Sequence, residues 1–198
     1  MRIFACLALI SLFAFPQSVQ PPKLFPIPAE MHEIWPGATL TIPEKKLLEK
    51  ALEPALQKTE KFCEKKTAFE SIDSATISLG KLGTGVIILV SESCMCGSAN
   101  CPIYLYAHAQ DGYRIVLGDP RPGRGAGGWA FGLVEAEADV PALVLASNAG
   151  GPRVVLTLYR YDGSQFVPQG CETLTRKPGN GTSWWNPSEV DVQPCAAN

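Results

Sequence analysis

Pro102-Ile103-Tyr104-Leu105-Tyr106-Ala107-His108-Ala109-Gln110-Asp111-Gly112-Tyr113-Arg114-Ile115-Val116-Leu117-Gly118 decides the fold class. Two runs rich in aromatic and β-branched residues flank Asp111-Gly112, a pair suited to two-residue turns because Asp and Gly tolerate positive φ. The expected hairpin sets Gln110 opposite Tyr113. Asp162-Gly163 repeats the signal further on and sets Tyr161 opposite Ser164. Working outward, strand-like runs occupy 75–79, 85–91, 102–108, 113–118, 129–134, 142–147, 154–161 and 165–168. Their connections are short and carry no helical stretch, which predicts an antiparallel meander of about six to eight strands. Past Cys171 the chain reads as irregular up to Asn198.

Ahead of the strands, apolar residues fall at Leu47, Leu48, Ala51, Leu52, Ala55, Leu56, Phe62 and Cys63, the spacing of one helical face, so an amphipathic helix is expected from 44 to about 69. Pro54 should kink it or start a second helix, because an interior proline costs about 3 kcal/mol. Helix and meander together make an α+β class, with 44–198 as a single disulfide-stapled domain. Residues 21–43 carry Pro21, Pro22, Pro26, Pro28, Pro36 and Pro43, which favour an extended arm. Leu24, Phe25, Ile27, Ile34 and Trp35 are too apolar for a free linker, so the arm is expected to lie along the domain.

Residues 1–20 read as a signal peptide, with Arg2 as the positive region and an apolar stretch from 3 to 15 too short to span a bilayer. Its removal leaves 16 basic against 19 acidic residues, a net charge of −3. Neither a nucleic-acid footprint nor a later membrane span is implied. The mature chain is expected to be secreted or periplasmic. Asn180-Gly181-Thr182 is a glycosylation sequon where the source is eukaryotic.

Six cysteines follow the leader: Cys63, Cys94, Cys96, Cys101, Cys171 and Cys195. In an exported chain they are read first as a disulfide framework, for which six cysteines allow 15 pairings. Cys94 and Cys96 are too close along the chain to bridge comfortably. One of them therefore takes Cys101 and the other reaches Cys63, Cys171 or Cys195, which leaves about six of those pairings. The alternative is a metal site in which Cys94, Cys96 and Cys101, with His108 or Met95, supply thiolate, imidazole or thioether ligands.

Catalytic signals are incomplete. His32-Glu33 opens like a metalloprotease helix, but position 36 is Pro36 rather than a second histidine. No Gly-x-Ser-x-Gly turn exists, and His32 and His108 are the only histidines. Glu135, Glu137 and Asp139 share the odd-numbered side of an extended segment with Trp129, Phe131 and Leu133. They form either an acidic turn or the acid and base of a glycan-cleaving site, and Trp184-Trp185 would add stacking surfaces for sugar. Between Gly118 and Gly128, Arg121 and Arg124 lie in a glycine-rich loop able to approach an anion, although it leads into a strand rather than a helix. No cofactor is expected.

The stretch from Cys96-Gly97-Ser98-Ala99-Asn100-Cys101 to Tyr106, with Asp111-Gly112-Tyr113, Val140-Pro141-Ala142-Leu143-Val144-Leu145 and 159–167, resembles a pattern in uncharacterised exported bacterial β-rich proteins with a CGxxxC hairpin loop. The hairpins are also similar to FG-GAP blades, without the acidic calcium loop of that family ahead of Leu143. The resemblance implies an envelope or secreted domain and carries over no functional residue. Three functions follow as expectations. The first is a non-catalytic binding or structural module, with an unknown protein or envelope ligand held by a sheet face or by the loops at 94–101 and 119–128. The others are an envelope-polymer hydrolase using Glu135, Glu137 or Asp139, and a metal-binding protein using Cys94, Cys96 and Cys101.

Overall fold

A computed structural model describes residues 25–34, 42–64, 72–96, 100–118, 126–178, 184–186 and 188–195. The expected signal peptide at 1–20, the arm residues 21–24 and 35–41, the expected helix end at 65–69, the loop bearing Arg121 and Arg124, and the Asn180 sequon lie outside them.

The described chain runs through β1 (His32–Glu33), α1 (Ile42–Cys63), β2 (Ile72–Ser78), β3 (Thr84–Val90), β4 (Cys101–Ala109) and β5 (Gly112–Leu117). It continues through β6 (Ala126–Gly128), β7 (Ala130–Val134), β8 (Ala142–Asn148), β9 (Arg153–Tyr161), β10 (Phe166–Arg176) and β11 (Val190–Pro194). All pairings are antiparallel, but the strands divide into two sheets. One has the order β1-β7-β8-β9-β10-β11 (sheet A); the other is β2-β3-β4-β5 with β6 on β4 (sheet B). The expected strand at 129–134 is in fact where the chain changes sheets: β6 pairs with β4, and β7 with β8. Gly128 permits the crossing, since a Cβ there would stand 2.4 Å from the Ala146 carbonyl oxygen.

Ile77, Ile87, Leu89, Ile103, Leu105, Phe131, Leu143 and Leu145 fill the space between the sheets. The uninterrupted apolar runs of β3 and β4 are explained by a second cover. Val86, Ile88, Val90, Tyr104 and Tyr106 point the other way and receive Leu48, Leu52 and Ala55 of α1. The helix runs unbroken through Pro54, whose ring is exposed, rather than starting again there.

The outer face of sheet A is also covered, by Phe25, Ile27, Met31, Trp129, Trp184 and Trp185 over Val144, Leu156, Leu158 and Leu174. Residues 25–34, the described part of the arm, therefore lie along this sheet. The arm then crosses the sheet edge, pairs through β1 with β7, and sends Ile34 into the inter-sheet core. Gly132 makes room for it, because a Cβ there would be 2.6 Å from Met31 Sδ and from Pro28 Cβ.

Three expectations need correction. The first hairpin pairs Ala109 with Gly112 and His108 with Tyr113, so its loop is Gln110-Asp111, one residue earlier than the turn signal placed it. The second pairs Tyr161 with Phe166, giving a four-residue loop. Its cause is local: Asp162 Oδ1 accepts from the backbone N–H of Ser164 and Gln165 at 2.8 and 2.9 Å, which stabilises a wider turn. The region after Cys171 is not irregular, since β10 continues to Arg176 and β11 lies alongside it.

Candidate functional site

The cysteines form Cys63–Cys94, Cys96–Cys101 and Cys171–Cys195, with Cα separations of 5.5, 4.1 and 5.4 Å. This is one of the six arrangements left open by the sequence. With Leu89 opposite Ile103, Cys101 begins β4 beside Cys96, and Cys94 turns away to hold the end of α1. A zinc or copper site at Cys94, Cys96 and Cys101 would require these bonds to be reduced. Three disulfides fit an oxidising compartment. Among the described residues no helix is long and apolar enough to cross a membrane.

The carboxylates lie in the turn between β7 and β8. Glu135 takes a positive φ of 57° and ends the strand, and the Ala138 N–H donates to its carbonyl at 2.8 Å. The Arg160 guanidinium clasps its side chain through two hydrogen bonds, one of them 2.6 Å long. Those bonds hold Glu135 below the ordinary carboxylate range, whereas a general acid needs the opposite shift. Asp139 binds Lys81 twice, its carboxylate accepting from Nζ at 2.5 Å and its carbonyl from the backbone N–H at 2.6 Å. Lys81 sits in the 3-10 turn Gly80–Leu82 between β2 and β3, so Asp139 ties one sheet to the other. Glu137 is exposed. Glu135 and Asp139 are thus engaged by Arg160 and Lys81.

The tryptophans are elsewhere. Trp185 lies 5.5 Å from Trp129 between ring centroids, and the Arg176 guanidinium stands 4.2 Å over the Trp184 ring. Trp129 faces the outer cover of sheet A, opposite to Phe131 and Leu133, because the sheet change at Gly128 reverses its facing. It precedes β7 and Glu135 follows it, about 20 Å of extended chain apart at roughly 3.3 Å per residue. Acids and stacking rings thus do not meet. Trp129, Trp184, Asn148, Gly151, Arg153 and Val154 instead line a cavity of about 200 Å³.

A larger cleft, about 510 Å³, opens where the edges of the two sheets come together. Ala75, Thr76 and Ile77 of β2 form one wall, Phe131 and Leu133 of β7 the floor, and Ala29, Glu30 and His32 of the arm the other wall. β2 pairs only with β3 among the described strands, so this wall is an open sheet edge. The His32 ring packs 5.4 Å from the Phe131 ring and its Nδ1 lies 3.8 Å from Glu30 Oε1, with both side chains substantially exposed. An apolar floor with a few polar groups at the rim is the usual make-up of a ligand cleft.

No protein-family model, curated protein or solved structure matches this chain.

Of the cleft residues, sequence reasoning weighed His32 as part of a failed metalloprotease motif and as one of two histidines open to a triad, and passed over Glu30 and Thr76. The available signal was the apolar arm itself, whose Ile34 has to enter a core and so carries its neighbours to a sheet edge. His108 is exposed at the end of β4, where it meets Tyr113 edge-on at 5.4 Å.

Proposed function

We propose that this chain is an exported, non-catalytic binding module of the cell envelope or extracellular space, and that its binding site is the cleft between β2 and the arm. The observation that carries this reading is the use of the surfaces. Both outer sheet faces are covered, one by α1 and one by the arm with Trp184 and Trp185. Glu135 and Asp139 are engaged by Arg160 and Lys81. The edge cleft keeps an apolar floor open and has Glu30, His32 and Thr76 at its rim. The ligand class that fits is a protein segment or envelope component that sets an apolar group against Phe131 and Leu133 and a hydrogen-bonding or cationic group at Glu30 and His32. The three disulfides suit such a module to an oxidising compartment.

The test is capture from the native envelope or culture medium by the oxidised protein and by Ala75→Trp, which adds bulk from a half-buried cleft-lining position on the same face as Ile77. A partner retained by the first and lost by the second, with unfolding midpoints unchanged, supports the site. A partner retained equally by both removes the cleft from consideration, and absence of any saturable partner overturns the binding reading.

A further inference from the structure

One buried ionisable group is used by none of the above. Glu172 lies in the middle of β10, opposite Leu156 of β9 and Pro194 of β11, and is only 2 % exposed. Its Oε1 accepts a hydrogen bond of 2.6 Å from the backbone N–H of Phe25 in the arm. Its Oε2 is buried with no hydrogen-bond partner. A carboxylate so enclosed is costly, and the cost falls if the oxygen is protonated or if water is admitted.

Among the described residues the surroundings supply no ion pair to Glu172. Leu156 from β9, Pro194 from β11 and Phe25 from the arm are uncharged. On β10 the next charge on this face is Arg176, two pleats along and stacked on Trp184. Arg160, toward the far end of β9, is held by Glu135. Lys23 lies outside the described residues. Burial raises the Glu172 carboxyl above its ordinary 4.5, against the opposing pull of the Phe25 N–H.

We propose that Glu172 is a proton-controlled latch for the arm: protonated, it lets Phe25 seat over β10, and ionised, it favours lifting of Phe25 so that water reaches the carboxylate. The lever is short. Four residues after Phe25 the chain becomes the cleft wall at Ala29, Glu30 and His32, while Pro28 and Met31 rest at Gly132. Opening at Phe25 therefore loosens the wall against which a ligand would pack, and ligand retention becomes linked to pH. That last consequence rests on the cleft being the binding site; the motion of the arm does not.

The experiment is amide hydrogen exchange of the oxidised protein from pH 4 to 9, corrected for intrinsic exchange rates and read at Phe25, Ile27 and Ile34. A single linked proton changes the opening constant by at most about tenfold per pH unit. The wild type should lose protection with rising pH at a slope between zero and that limit, then level off. Glu172→Gln keeps an acceptor for the Phe25 N–H without the charge and should show flat protection. Glu30→Gln removes the carboxylate partner of His32, a second titratable contact on the described arm, and should leave the slope intact. A flat wild-type profile, or the same slope in Glu172→Gln, overturns the latch. If Glu172→Gln unfolds, the carboxyl carbon shift of Glu172 in the wild type decides: its titration must coincide with the loss of Phe25 protection, and separation of the two transitions overturns the proposal. Partner capture by Ala75→Trp is scored separately, so loss of the latch with the cleft intact, and the converse, are distinguishable.

Discussion

At the residue scale, the absence of a side chain decides as much as its presence. Gly132 holds the arm because nothing projects from β7 at that point. Gly132→Val would drive two methyl groups into Pro28 and Met31, contacts that already stand at 2.6 Å from a bare Cβ. Overpacking of this kind costs about 1–3 kcal/mol, and the strain has an outlet in displacement of the arm. The expected result is a lowered urea midpoint together with lost amide protection in 25–34 but not in β8 and β9. Loss spread evenly over sheet A would show instead that the arm and the sheet unfold as one. Glu135 and Arg160 illustrate the converse, a well-formed pair with little stability to give. Their side chains are 40 % and 46 % exposed, so the coupling in a double-mutant cycle of Glu135→Gln and Arg160→Gln should fall within about 0–1 kcal/mol. The acidic trio was legible as a group in the sequence. Its partners were not, because Arg160 and Lys81 are brought to it only by the β9 register and by the joining of the two sheets.

At the element scale, local signals located the helix face and both hairpins, but not the register of either hairpin. The three-and-four spacing of Leu48, Leu52 and Ala55 gives the buried helix face directly. The extension of β10 and the existence of β11 were missed because their alternating runs are short: Leu174 stands between Thr173 and Thr175, and Val190 and Val192 alternate with only Asp191 and Gln193. What stabilises β11 is its neighbour and the Cys171–Cys195 link, beside which the Cys195 N–H donates to the Cys171 carbonyl at 3.0 Å. The link closes 24 residues of chain, so a Cys171→Ser, Cys195→Ser double variant should lose about 3 kcal/mol in the chain-entropy account. Amide exchange should speed first in β11, with β9 and the far half of β10 retaining protection. A second element-level expectation concerns α1. Pro54 is exposed and denies the helix one interior hydrogen bond, so Pro54→Ala should stabilise the protein by about 1–3 kcal/mol. A neutral or negative change in the thermal midpoint would mean that the backbone geometry set by Pro54 is needed to seat Leu52 and Ala55 on the sheet.

For the whole molecule, the layered arrangement of arm, sheet, sheet and helix converts individual carboxylates into a characteristic dependence on pH. The layering itself was half legible: long apolar runs in β3 and β4 signal strands covered on both faces, but which segments cover them depends on the sheet change at Gly128, a non-local event. Two acids lose solvent within the layers, Glu172 buried and Asp73 half-buried. Asp73 is raised above 3.8 by burial, with the Ser91 hydrogen bond opposing, and Glu172 is raised above 4.5 in the same way. Their stabilising contributions are complete below those ordinary values and are lost as pH rises through the folded ones. Two other acids sit at loop ends and behave oppositely. Glu135 is lowered first by Arg160, and Asp162 first by the Gln165 N–H and then by the Ser164 N–H. Their contributions are present above the ordinary values and are lost as pH falls through the depressed ones. The carboxylate-governed part of stability should therefore crest in mildly acidic solution rather than at neutrality. Urea midpoints between pH 2 and 9 measure it. Asp73→Asn with Glu172→Gln should flatten the fall on the alkaline side of the crest, and Glu135→Gln with Asp162→Asn should flatten the rise on the acid side. A wild-type midpoint that climbs steadily from pH 5 to 8, and does so equally in the first double variant, would show that Asp73 and Glu172 do not govern the profile.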